Sequence, residues 1–255
     1  MPDLKITEMT EDTLPQSADL LATVEDPSGT PVTKKITLAT LLSGWINDSN
    51  TWTYVSASTF TISGDKTTII TKGTKLKFTQ TTVKYAVVVA SSYSAPNTTV
   101  TIQVNTDYTI ANAAITLPAY SYAVNPQGYP GWFNLAAPTW TLSTIDDGAG
   151  GQPTTAKFRI SIEGNTVLAR CEGTGTKVAT NWYFTHNGGN LPAPANITAS
   201  VKNAFGSCNA WLASNDFNGL SAFHSVDGWY EIFNSDVNIT DNQAFNFSWE
   251  ATYEF

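Results

Sequence analysis

The stretch from Phe245 to Phe255 alternates without a break. Phe245, Phe247, Trp249, Ala251, Tyr253 and Phe255 hold one set of positions, and Asn246, Ser248, Glu250, Thr252 and Glu254 hold the other. A period of two places each set on its own face of a strand, whereas a helix would scatter both around its axis. The segment is therefore predicted to be a strand whose aromatic face is buried in a core or a subunit interface. Burying one Phe side chain contributes about 1.5–3 kcal/mol, so loss of the last three residues is expected to damage the fold.

The same period runs through the preceding sequence. Leu76 and Phe78 lie between Lys75 and Lys77, then come Val83, Tyr85, Val87 and Val89, then Val100, Ile102 and Val104. Turn signals separate these runs at Ser63-Gly64-Asp65, Lys72-Gly73, Ala95-Pro96-Asn97 and Asn105-Thr106-Asp107. Residues 51–135 read as one small β-domain, with Pro126 to Trp132 as a joint at its end and Asp146 to Gly151 as a long loop beyond. Further on, Phe158, Ile160 and Ile162 alternate with Lys157, Arg159 and Ser161. A Glu163-Gly164-Asn165 connection then leads into Thr166–Cys171. The predicted fold class is all-β, with residues 136–255 forming a C-terminal β-sandwich or jelly-roll-like head. Charged residues make up only 13% of the chain while Thr, Asn and Ser abound, a composition that suits pleated surfaces better than helices.

Residues 1–50 read differently. Apolar residues are few, and Pro15, the turn phrase Asp26-Pro27-Ser28-Gly29 and Pro31 favour extended backbone. The prediction is an extended arm that gains order from a partner. Its apolar residues, Leu20, Leu21, Val24, Ile36, Leu38, Leu41 and Leu42, are the expected anchoring contacts. One short helical turn is expected after Thr37 as N-cap, with Gly44 as its C-terminal stop.

Candidate chemistry is sparse. The two histidines, His186 and His224, sit in no recognisable motif, and Ser207-Cys208 lacks a nucleophile-elbow or Cys-His signature. Asp146 and Asp147 are adjacent, but a glycosidase needs carboxyl groups roughly 5–10 Å apart across a sugar. No D-x-D-x-D-G spacing builds a calcium shell. The expectation is a non-enzymatic chain with no catalytic residue, metal or cofactor. Cys171 and Cys208 read as buried thiols, with pairing open to a particle that leaves a reducing cell. Trp182, Tyr183, Trp211, Trp229, Tyr230 and Trp249 read as core packing, with a sugar-stacking platform as the alternative. Asn187 and Asn190, with Asn215, Asp216 and Asn218, lie in two segments read as loop tips and are the candidate glycan-facing positions.

A net charge of −8 with scattered basic residues offers no footprint for a phosphate backbone, so nucleic acid is not an expected partner. No apolar run reaches the roughly 18–20 residues of a membrane span, and no membrane partner is expected. Residues 1–20 lack a signal-peptide pattern, which predicts synthesis in a cytoplasm.

The phrases Lys5–Thr10 (KITEMT), Ala18–Pro27 (ADLLATVEDP) and Lys34–Leu42 (KKITLATLL) occur together. In this combination the opening resembles the N-terminal arms of phage virion appendages. Thr51–Val89 is similar to a module of head-fibre, decoration and tail-fibre proteins, so the resemblance covers roughly the first half of the chain. It implies a virion structural protein, made in the host cytoplasm and assembled on the particle exterior. The expected role is capsid decoration or cement protein, or head fibre, anchored by residues 1–50 to the major capsid protein or another virion protein. The alternative is a tail or collar fibre whose C-terminal head binds a host-surface glycan. The resemblance also implies a homo-oligomer, a trimer.

Overall fold

The computed structural model describes residues 16–25, 30, 32–135, 140–144, 155–176, 182–187, 203–212, 215–224, 229–233 and 244–255. The chain is all-β, and among the described residues the exceptions are one short α-helix and one 3-10 turn at Thr106–Tyr108. The KITEMT phrase, the turn phrase at 26–29, Asp146 to Gly151 and Asn190 lie outside the described residues.

Three sheets follow one another along the chain. The first is a hairpin of β1 (Leu20–Glu25) and β2 (Val32–Thr37), which leads directly into α1 (Leu38–Leu42). Over its described residues the arm is thus a paired hairpin followed by the short helix. Leu21 faces Ile36 and Val24 faces Thr33, so each strand supplies the backbone partners that a lone strand would take from another molecule.

The second sheet contains β3 (Ile46–Asn47), β4 (Trp52–Ser56), β5 (Thr59–Ser63), β6 (Lys75–Gln80), β7 (Thr82–Ser94), β8 (Asn97–Val104) and β9 (Thr116–Ser121). Its seven antiparallel strands run in the order β3-β9-β6-β7-β8-β5-β4. The first two strands in sequence are therefore its opposite edges. Laid flat, the edges would stand about 29 Å apart, but only residues 48–51 join them, a link that spans at most about 18 Å. The sheet must curl, and the curl brings Trp52 on one edge to 6.2 Å from Phe78 on β6, while Phe60 on the neighbouring β5 stacks on Trp52 at 4.5 Å between ring centroids. Asp48 holds the link, accepting from Trp52 Nε1 at 2.8 Å while its own amide donates to Pro118 O. Inside lie Phe60, Ile62, Ile70, Leu76, Phe78, Ala86, Val88, Val100 and Ile102.

Two expectations about this sheet are corrected. Val83 is exposed and Val89 only half-buried, because the core face of β7 carries Ala86 and Val88. Val87 is buried on the other face, and a bulge between Val88 and Ala90 then shifts the phase. Lys75, expected on a solvent face, is buried because the segment after β9 covers it. Its Nζ donates to Ala123 O at 3.2 Å and stands 5.4 Å from the Tyr129 ring.

The third sheet contains β10 (Phe133–Leu135), β11 (Trp140–Thr144), β12 (Thr155–Glu163), β13 (Thr166–Thr176), β14 (Trp182–Asn187), β15 (Asn203–Leu212), β16 (Asn215–His224), β17 (Trp229–Phe233) and β18 (Ala244–Glu254). Where two packed sheets were expected, the described strands form one antiparallel sheet in the order β10-β12-β13-β18-β15-β16-β17-β14-β11. The first two strands are again the opposite edges, joined through residues 136–139, and the same length argument requires this sheet to curl. Strand pairing begins the third sheet at Phe133, directly after Pro126–Trp132. Phe158, Ile160 and Ile162 are buried as their alternation predicts, together with Val167, Ala169, Cys171, Tyr253 and Phe255. Glu163 pairs with Thr166, so the turn between them has two residues where three were expected. Gly164 takes the positive φ of 58° that such a tight turn needs.

The second and third sheets meet at two turns. An added Cβ on Gly73, whose φ is +82°, would stand 2.1 Å from Gly164 O. Beside this contact, Lys72 Nζ lies 4.4 Å from the centroid of the buried Phe255 ring, and Phe255 N donates to Asn165 O at 3.0 Å.

Candidate functional site

The arm leaves the second sheet through a built joint. Thr37 Oγ1 accepts from Thr40 N at 3.1 Å, capping α1 as the sequence predicts, and Gly44 ends the turn at φ +73°. The amides of Leu38 and Ala39 donate to Asp19 O and Ser17 O, which ties the start of the helix to the residues before β1. Hairpin and helix are thereby one unit. Next, Ser43 O accepts from Gln127 N at 2.8 Å, and Gly44 O accepts from Ser121 Oγ. Trp45 Nε1 donates to Gln127 O at 2.8 Å. The Trp45 ring is buried beside Tyr85 at 6.0 Å and Tyr129 at 6.3 Å, with Lys77 Nζ 4.9 Å from its centroid. Burial lowers the pKa of Lys77 and raises that of Tyr129. It also lowers that of Lys75, partly offset by Glu163.

Beyond the joint the arm is uncovered. Leu20 is 55% exposed, Leu21 42%, Leu41 53% and Leu42 73%. Ile36 and Leu38 are half-buried. A shallow open depression runs along the hairpin, lined by Leu20, Leu21, Ala22, Thr33, Lys34 and Lys35. The anchoring residues do not form one stripe, because Leu20 and Leu21 fall on opposite faces by register, Leu20 facing Thr37 and Leu21 facing Ile36. Val24 occupies the Leu20 face by the same register.

The candidate glycan-facing positions are only partly gathered. The segment read as a loop from Ser214 to Gly219 is strand from Asn215 onward: Leu212 pairs with Asn215, Trp211 with Asp216 and Asn209 with Asn218. The apolar positions Phe217 and Leu220 amid its polar run mark the strand. Asp216 and Asn218 share a face with Trp211 and Asn209, while Asn215 falls on the other. Asn187 ends β14 opposite Trp229. The six aromatic positions proposed as a platform are divided between both faces, with Trp249 in the Cys171 row and Trp211 in the alternate set.

No catalytic grouping emerges from the register. His186 pairs with Tyr230 and His224 with Trp229, on opposite faces. Ser207 pairs with Glu250 and Leu220, and its row contains no histidine. Cys171 and Cys208 both face Trp249, from either side, so their Cα atoms stand two strand spacings apart, about 10 Å. A disulfide needs roughly 4.4–6.8 Å, and this pair cannot form one within the chain. Among the described residues no three His, Cys, Asp or Glu side chains gather to hold a metal, and no helix is long and apolar enough to cross a membrane.

Half-buried Trp132 was not singled out from the sequence. The guanidinium groups of Arg159 and Arg170 each lie 5.0 Å from its ring centroid, and these arginines pair with Glu172 and Glu250. Arg159 and Arg170 stand directly opposite each other, and the ring and carboxylates offset their repulsion.

No protein-family model, curated protein or solved structure matches the chain.

Proposed function

We propose that this chain is a non-enzymatic phage virion structural protein on the capsid exterior, a decoration or cement protein or a head fibre. Its arm docks on the major capsid protein or another virion protein, and its two curled β-sheets are displayed outward. The observation that carries this reading is the contrast across Trp45. On one side lie curled sheets with a buried core, and on the other a hairpin and helix whose four leucines are 42–73% exposed. A two-stranded hairpin is marginal by itself, so it needs a surface to cover it. Covering Leu20, Leu21, Leu41 and Leu42, which requires contact on both hairpin faces, contributes about 3–6 kcal/mol in total. Binding the assembled shell in preference to its separated subunits shifts stability toward the shell by mass action. The chain functions as a homo-oligomer, a trimer.

The test is electron microscopy of intact particles carrying an epitope inserted at Gly188-Gly189, just after β14. A C-terminal tag is avoided because Phe255 is buried. Label over the whole head surface is the expected result. Label confined to the neck or tail overturns it in favour of a fibre, with Trp211, Asp216 and Asn218 as the first positions to test for glycan binding.

A further inference from the structure

The two outer edges of the arm hairpin differ in kind. β2 carries Lys34 and Lys35 at its centre, and lysine on an edge strand discourages further pairing. β1 presents Leu20-Leu21-Ala22-Thr23-Val24 before its one charged residue, the terminal Glu25, with no charge or proline at its centre, and Leu20 to Thr23 are all exposed. β2 is the only sheet neighbour of β1 among the described residues. Such an unguarded edge is a template for another strand, and at least three strands are needed before a small sheet is independently stable.

We propose that β1 pairs edge to edge with β1 of a second copy of this chain, antiparallel about a two-fold axis at Thr23, giving a four-stranded sheet in the order β2-β1-β1-β2. In such a pairing one residue must face its own copy, because directly opposed side chains share a face. With Thr23 in that place, Ala22 faces Val24 of the second copy and Leu21 faces Glu25. No like charges meet, and Thr opposite Thr is a favourable cross-strand pair. Moving the axis to Ala22 sets Asp19 against Glu25. Pairing through β2 about Lys34 or Lys35 sets a lysine against itself. Only the β1 edge is complementary to its own copy over most of its length, which selects a second copy as the occupant. The pairing uses the edge and leaves the leucine-bearing faces and α1 uncovered. It is separate from the proposed trimer, would tie one oligomer to the next through the arms, and does not depend on the virion reading.

The full-length chain tests this with paired substitutions. Thr23→Cys should yield a covalent dimer with a short bismaleimide, while Thr33→Cys on β2 and the wild-type chain should not. Thr23→Lys, which opposes two ammonium groups, should weaken self-association in sedimentation equilibrium at least tenfold, with Thr33→Lys unchanged. Equal cross-linking at both positions, none at Thr23, or an association indifferent to Thr23→Lys overturns the proposal.

Discussion

Gly73 offers a measurement in which geometry sets the size of the effect. Its φ of +82° disfavours any residue with a Cβ, and that Cβ would stand 2.1 Å from Gly164 O. Three alanine substitutions separate the contributions. Gly131→Ala meets nothing within 4 Å and is expected to be neutral or to stabilise by up to about 1 kcal/mol by restricting the unfolded chain. Gly164→Ala meets open space but keeps a φ of +58°, so it incurs the left-handed cost alone, about 1–2 kcal/mol. Gly73→Ala adds a clash between two backbones, which no side-chain rotation relieves. Reaching ordinary contact requires the turns to part by more than about 1 Å, which loosens Lys72 from Phe255. The expected loss is about 3–4 kcal/mol, combining backbone conformation with lost packing. Denaturant unfolding of the full chain, followed by tryptophan fluorescence, measures all three variants. If Gly73→Ala costs no more than Gly164→Ala, the contact between the two sheets is not tight and the reasoning fails.

Gln80 is buried, donates to Ala111 O and Ala113 O and accepts from Ala111 N. Gln80→Leu should lower stability by about 2–4 kcal/mol by leaving those groups unpaired, read as a shift in denaturation midpoint. Lys75 has its pKa lowered from 10.5 by burial, so in the window between its folded value and 10.5 the unfolded state binds more protons. Stability attributable to it therefore rises with pH, and the wild type should gain on Lys75→Met as pH approaches 10.5. A flat or falling difference in midpoints would refute this. Leu41→Asp with Leu42→Asp should leave the chain's own stability within about 0.5 kcal/mol, since both side chains are exposed. The same pair should reduce incorporation into particles at least tenfold, measured by gel densitometry of purified virions.

Much of the fold could be read from residue order, where one face alone is buried. Val100 and Ile102, and likewise Phe158, Ile160 and Ile162, fill cores on the side their spacing predicts. Thr37 and Gly44 bound the helix because capping is local chemistry. Reading failed where a strand is covered twice. Ala86, Val87 and Val88 are consecutive and all buried, so alternation carries no phase there, and Lys75 is hidden by a segment distant in sequence. The curling of both sheets rests on which strands become edges, a long-range property that periodicity does not encode. The arm's leucines were legible as a set, but their division between two faces required the hairpin register. Trp132 between two arginines left no motif, because its partners lie on other strands.

The place of β18 bears on how the chain matures. It lies between β13 and β15 inside the third sheet and follows that sheet's other eight described strands in sequence. During synthesis, β10, β12 and β13 can pair with one another, as can β11 and β14 to β17. Each group then ends in a bare margin until β18 emerges and zips the two together. Until then those margins invite pairing with other nascent chains, and the long sequence separations predict slow closure. Closure of this sheet is thus timed by β18, and a translational pause before residue 244 would prolong the interval in which the halves can join the wrong neighbour.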